Sequence, residues 1–314
     1  MTKITIIGAG NVGSTLAYTL AVTGTADEIV IIDVNQKRAM GEALDIRQSA
    51  PFCGPITVYA GDYPDAAGSN IVVVTSGVAR KPGQSRLELA QTNVDITKSI
   101  IPQITRYAPD ATYIIVANPV DILTYTFVRC SDIPANRIIG SGPILDTARL
   151  RQRLSEYYSI SQQNIHAWVF GEHGDSSFIP WSQATISGVP IDHFDEALHG
   201  RSTIAPDLNR TEVEAYVRKS GARIIERKGA TYYAIAASVN HICQSLSGRL
   251  DRTVTVSTLM QGEYGIRDVC LSIMNVIGSG GVNGKVLYPL TEEEQLLLHK
   301  SADALKAIIA ELKF

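Results

Sequence analysis

Ile4-Thr5-Ile6-Ile7-Gly8-Ala9-Gly10-Asn11-Val12-Gly13 decides the fold. A short β-branched run leads directly into G-x-G-x-x-G, and residues 12–22 then read as a helix. In such a unit the first glycine makes the tight turn. The second lets a pyrophosphate approach the backbone, and the third lets helix and strand pack closely. The amides at the helix N-terminus face the anion. Gly-rich turns are common, so this motif alone is weak. Asp33 strengthens it, because it ends the next apolar run at the distance where an acidic side chain binds ribose hydroxyls. Its charge would repel a 2′-phosphate, which favours NAD over NADP. The alternative for Asp33 is a plain turn residue at a strand end.

The same theme continues outward. Apolar runs at residues 29–32, 71–75, 113–117 and 137–139 alternate with longer polar-periodic segments such as residues 93–107. Near-continuous β-branched runs suit strands buried on both faces of a parallel sheet. Their alternation with helices predicts a doubly wound α/β sheet. The pattern changes near Gly140-Ser141-Gly142-Pro143. The expected division is a dinucleotide-binding domain over residues 1–142 and a substrate domain over residues 143–314. In the second part, helices are expected near residues 147–158, 210–228, 230–246 and 291–312. Strands are expected near residues 165–171, 179–191, 254–260 and 269–276. Thr291 is the expected N-cap of the last helix, with glutamates in its first turn.

The chain has 314 residues, 45% of them apolar and 19% charged, which is an ordinary globular mixture. A net charge of -3 gives no reason to expect nucleic acid or an anionic membrane as partner. Cys53, Cys130, Cys243 and Cys270 match no zinc or redox spacing and read as buried thiols in a reducing compartment. The start lacks the features of a signal peptide, and no apolar run is long enough to span a bilayer. A soluble, cytoplasmic protein is expected.

Three further segments carry chemistry. Gly77-Val78-Ala79-Arg80-Lys81-Pro82-Gly83-Gln84-Ser85-Arg86-Leu87-Glu88-Leu89 is a cationic loop bracketed by glycine and proline, suited to closing over a small anion. Gly171-Glu172-His173-Gly174-Asp175 sets a histidine between glycines after an expected strand, where its imidazole is accessible and able to move a proton near neutral pH. His193, His199, His241 and His299 read as core or surface residues. Asp146 and Arg149 are three apart at a helix start and so share a face. An N-terminal cap with a surface ion pair explains them equally well. Asn118-Pro119-Val120-Asp121 follows a strand end where ligands collect in such sheets, though Asn118 also suits plain turn chemistry.

Together these motifs, with residues 228–233 (Lys-Gly-Ala-Thr-Tyr-Tyr), resemble the L-lactate/malate dehydrogenase family along the whole chain. The resemblance implies a Rossmann domain followed by a mixed α/β domain with antiparallel strands. It implies NAD as cofactor and a 2-keto or 2-hydroxy acid as substrate. It makes His173 the proton donor and acceptor, with Asp146 orienting it. Arg149 would hold the substrate carboxylate through two parallel bonds, and Arg86 would polarise the reacting carbonyl. Asn118 and Thr231 would touch substrate. Gly8, Gly10, Gly13, Asp33, Gly77, Asn93 and Asn118 would form the cofactor site. No metal is expected, and self-association as a homotetramer or dimer is.

The resemblance also places Arg80 against the substrate's far substituent, where arginine accompanies malate and glutamine lactate. An uncompensated member of a buried pair costs roughly 3–5 kcal/mol, so Arg80 would favour oxaloacetate over pyruvate. Leu87, Thr231 and much of the scaffold look lactate-like, whereas Pro143 fits neither branch. On Arg80 the expectation is malate dehydrogenase, with L-lactate dehydrogenase the alternative. Arg151 and His166 match the basic pair with which bacterial lactate dehydrogenases bind fructose 1,6-bisphosphate; a solvated arginine and a strand-end histidine are the plain alternative. A family-4-type glycosidase would need a metal-binding Cys/His arrangement that the spacing does not offer. A non-catalytic NAD sensor need not retain His173, Asp146, Arg149 and Arg86 together.

Overall fold

Valine and isoleucine runs too short for helices, closed by glycine, asparagine or aspartate, build the centre of the molecule. The computed structural model describes residues 1–79, 83, 85–200 and 208–314. In chain order the first half holds β1 (Lys3–Ile7), α1 (Asn11–Val22), β2 (Glu28–Ile32), α2 (Gln36–Gln48), the single-turn α3 (Ala50–Cys53), β3 (Thr57–Ala60), β4 (Ile71–Val74), α4 (Arg86–Tyr107), β5 (Thr112–Ile115), α5 (Val120–Cys130) and β6 (Ile138–Gly140). The second half holds α6 (Ile144–Tyr158), β7 (Ile165–His166), β8 (Thr185–Ile186), β9 (Val189–Pro190), the short α7 (Phe194–Ala197), α8 (Arg210–Lys228), α9 (Tyr233–Ser247), β10 (Arg252–Gln261), β11 (Arg267–Gly278), β12 (Gly281–Val286) and α10 (Glu292–Glu311).

The main sheet runs β12-β11-β10-β6-β5-β4-β1-β2-β3. Its six amino-terminal strands are parallel. The chain order reverses direction across β1 and β4, as in doubly wound nucleotide folds, which puts the ligand crevice at the carboxyl ends of these strands. The fold is mixed α/β with this Rossmann sheet at its core. The antiparallel strands of the second half mostly extend this same sheet: β10 joins β6 through Ser257 and Gly140, and β11 and β12 continue as a meander. A second, three-stranded sheet is small, with order β7-β8-β9.

One apolar layer packs Ile101, Ile104, Phe127, Leu271 and Leu298 on one face of the sheet. The other face carries Leu16, Leu20, Ile29, Val239 and Ile242. The strand expected over residues 165–171 pairs only at residues 165–166, and Phe170 and Gly171 then bridge separately to Phe178 and Ser272. The region of residues 179–191 gives two strands of two residues each, with a tight turn at Ser187-Gly188, both at positive φ. Among the described residues, no helix is long and apolar enough to cross a membrane.

Candidate active site

The glycine turn after β1 shows why each small residue is there. Gly8 sits at φ +112, and a Cβ at Gly13 would lie 1.8 Å from the Gly8 carbonyl oxygen, so α1 can meet the turn only without a side chain. Gly10 differs, because a Cβ there would find no protein atom within 4 Å. Its smallness keeps open the space over the α1 N-terminus that a pyrophosphate would use. Asp33 accepts from the Ala9 amide (2.6 Å) and the Asn35 amide (2.7 Å). These bonds aim its carboxylate at the turn, with lone pairs left for ribose hydroxyls.

Alongside lies a cleft of about 310 Å³ lined by Val12, Thr75, Gly77, Val78, Val116 and Asn118, among others. Asn93 is buried on α4 behind it. Its carboxamide accepts from the Val78 amide (2.8 Å) and donates to the carbonyls of Val78 (3.1 Å) and Asn118 (2.7 Å). Asn93 thereby ties the start of the cationic loop to the end of β5. A Cβ at Gly77 would press on Ala117 at 3.1 Å. The residues of this cleft fit a dinucleotide.

The second cluster gathers at the ends of α5 and α6. Asp146 is in the first turn of α6, where the helix dipole favours a carboxylate. Its Oδ2 lies 2.6 Å from His173 Nδ1, and its Oδ1 accepts from Arg149 Nη1 at 2.7 Å. An ionised carboxylate can only accept, so Nδ1 carries a proton and Nε2 is left for a ligand. The imidazole is 26% exposed and the Arg149 side chain 11%. Burial works to raise Asp146, but the adjacent His173 and Arg149 charges outweigh it and hold the carboxyl below its ordinary value. Burial works to lower His173, but Asp146, by charge and hydrogen bond, outweighs it and raises the imidazole. The cluster sets a hydrogen-bonded imidazole–carboxylate pair next to a buried guanidinium.

Two contacts that the sequence did not reveal fix the His173 turn. The His173 amide donates to Asp121 Oδ2 at 2.7 Å. The Glu172 amide donates to Ser301 Oγ at 2.7 Å, from a fully buried serine on α10. Neither partner is close in sequence. Asp121 lies 52 positions from His173, and Ser301 lies 129 positions from Glu172. Asp121 was within reach of reading, since it ends the Asn118-Pro119-Val120-Asp121 stretch; Ser301 gives no signal at all.

The structure thus brings Asp146, Arg149 and His173 together. Arg86, the first residue of α4, reaches the same turn by pairing with Asp175 at 2.6 Å, and that bond raises its guanidinium further. Asn118, Gly77 and Asn93 meet at the cleft. Thr231 lies half-buried in the α8–α9 connection. Arg80 lies outside the described residues. Arg151 donates to the Ala167 carbonyl (3.1 Å) with its guanidinium over Trp168, and burial lowers it; His166 next door is exposed.

Comparison with known proteins bears on the substrate branch. The chain is 43% identical over 310 residues to L-lactate dehydrogenase of Acetivibrio thermocellus, covering 99% of this chain and 97% of that one. It is 44% identical over 312 residues to L-lactate dehydrogenase of Thermoanaerobacter pseudethanolicus, covering 99% of each. Among solved structures, the minor L-lactate dehydrogenase of Enterococcus mundtii superposes with a TM-score of 0.93 at 34% identity, over 100% of this chain and 99% of that one. This likeness overturns the expectation of malate dehydrogenase drawn from Arg80. A loop cation selects a dicarboxylate only as far as closure strips its water, and one such position weighs less than a lactate-type scaffold throughout. The model for the lactate/malate dehydrogenase NAD-binding domain matches residues 2–140, and that for the lactate/malate dehydrogenase α/β C-terminal domain matches residues 144–313. With the glycine turn, Asp33 and the His173 cluster in place, the chain belongs to the lactate/malate dehydrogenase family and uses NAD.

Proposed function

We propose that the chain is an L-lactate dehydrogenase, interconverting pyruvate and L-lactate. The observation that carries this reading is the 44% identity to an L-lactate dehydrogenase along the whole chain. The site supports it with an imidazole whose Nδ1 is bonded to Asp146, beside a buried guanidinium. NADH, when bound, supplies the hydride that reaches C2 of the keto acid. Arg149 holds the C1 carboxylate. Arg86 swings from Asp175 to the reacting carbonyl; a largely exposed pair is worth little, so leaving it costs little. Asn118 and Thr231 line the substrate's other sides. His173 Nε2 gives its proton to the carbonyl oxygen as the hydride arrives, and Asp146 keeps the ring oriented throughout.

The sign of the pH dependence follows. Reduction needs the charged ring, so it is fully expressed below the raised His173 pKa and falls as pH rises through it. Oxidation of lactate needs the neutral ring and runs the other way. Self-association as a homotetramer or dimer belongs to the same reading. Met40 and Leu44, exposed one turn apart on α2, support it, and sedimentation analysis reports it.

The decisive measurement is initial rate with pyruvate and with oxaloacetate at equal NADH. The ratio is expected to favour pyruvate, and an oxaloacetate preference overturns the reading. His173→Asn is expected to lower turnover by at least about a hundredfold while NADH binding, followed by fluorescence, is unchanged.

A further inference from the structure

The His173 cluster contains one carboxylate that the mechanism above does not use. Asp121, on the first turn of α5, is 3% exposed, and its Oδ2 accepts the His173 amide. Its Oδ1 has no hydrogen-bond partner, and neither do the buried hydroxyls of Ser257 on β10 and Ser272 on β11, which pair with each other in register. A neutral acceptor would hold the His173 amide equally well. A buried carboxylate with one oxygen unbonded is an expensive way to do so, and this calls for a use of the charge. The same carboxylate that accepts the His173 amide works, by its charge, to raise the imidazole.

We infer that Asp121 is a second positioning carboxylate for proton transfer: through the His173 amide it sets where the ring stands against Asp146, and its charge favours the imidazolium. This rests on the lactate dehydrogenase reading. Charged groups around His173 come from three helices and from its own turn. Asp146 and Arg149 come from α6, Asp121 from α5, Glu172 and Asp175 from its own turn, and Arg86 from α4 through Asp175. Facing Asp121 are His173, Glu172, the Ser257 hydroxyl and Cys270 on β11. Arg149 opposes the imidazolium while the two aspartates support it. Burial raises the thiol of Cys270 well above its ordinary value, so that neighbour stays neutral.

Asp121→Asn keeps an oxygen for the His173 amide and removes the charge. The experiment reads kcat/KM for pyruvate against pH, whose alkaline limb reports the free-enzyme His173. The limb is expected to move down by half a pH unit or more, about threefold in proton affinity, with the NADH dissociation constant unchanged. Asp121→Ser, a second neutral acceptor, is expected to move it the same way. An unmoved limb in a folded variant overturns the inference. So does failure of both neutral variants to fold, which would assign Asp121 to folding. If the wild type reduces oxaloacetate in preference to pyruvate, the lactate reading fails instead, and the limb is read with that acid.

Discussion

Ionising a carboxyl group that is buried away from water costs free energy. Asp121 is pushed up to about 6, chiefly by burial, with the His173 amide and the His173 charge working the other way. Against the ordinary 3.8 this is a shift near two pH units, about 3 kcal/mol at 1.36 kcal/mol per unit. The sign follows from the native state holding this proton more tightly than the unfolded chain. The cost is absent below pH 3.8, grows as pH rises, and is complete above pH 6. Asp121→Asn is therefore expected to stabilise the protein at pH 7.5, by up to about 3 kcal/mol, with the gain vanishing near pH 4. Chemical denaturation at the two pH values checks this; an equal loss at both would show that the charge carries no such cost. At this scale the sequence was legible where partners are local. Asp146 and Arg149 share a helix face, and the glycines around His173 mark an open imidazole. The contacts from Asp121 and Ser301 were not, because each side chain bonds a backbone amide far along the chain, and amides carry no residue identity.

Helix α1 meets β1 through a backbone contact that leaves no room for a methyl group. Gly13→Ala would drive a Cβ into the Gly8 carbonyl, whereas Gly10→Ala would enter open space. The two substitutions should therefore separate. Gly13→Ala is expected to lower the melting temperature and NADH affinity together. Gly10→Ala is expected to melt like the wild type while NADH affinity falls at least tenfold, about 1.4 kcal/mol. Melting curves and NADH fluorescence titration read both; normal NADH affinity in the Gly10 variant would remove the pyrophosphate from that space. Elements with strong local chemistry were legible. The runs of β1, β2, β4 and β5 read as strands, and Thr291 caps α10 through a reciprocal bond with Glu294, as its sequence suggested. Two strands did not read. β3 is a short edge strand, and β12 contains Gly281, Asn283, Gly284 and Lys285, residues poor in strand propensity that pair only because β11 offers a long neighbour. The segments after Ile165 looked like longer strands because apolar residues there pack in a satellite core without forming ladders.

Across the whole molecule, the sheet binds the two halves more tightly than a linker would. β10 lies against β6 between Ser257 and Gly140, so the carboxyl-terminal meander hangs on the last strand of the nucleotide half. The apolar layers also cross the boundary: Val239, Ile242 and Cys243 of α9 pack with Leu16, Leu20 and Ile29, and Leu271 and Leu298 pack with Ile104 and Phe127. The His173 turn, from one half, is held by Asp121 from the other. Breaking one half would expose apolar surface of both, at roughly 25 cal/mol for each Å². Unfolding is therefore expected to be a single transition. Both tryptophans, Trp168 and Trp181, lie in the second half and report it, while NADH binding reports the first. At a fixed protein concentration in guanidinium, tryptophan fluorescence and residual NADH binding should be lost at the same midpoint. If NADH binding outlasts the tryptophan signal, the nucleotide half stands alone and the shared sheet contributes little to cohesion. Coincident midpoints would mean that the His173 turn and the cofactor cleft are lost as one unit.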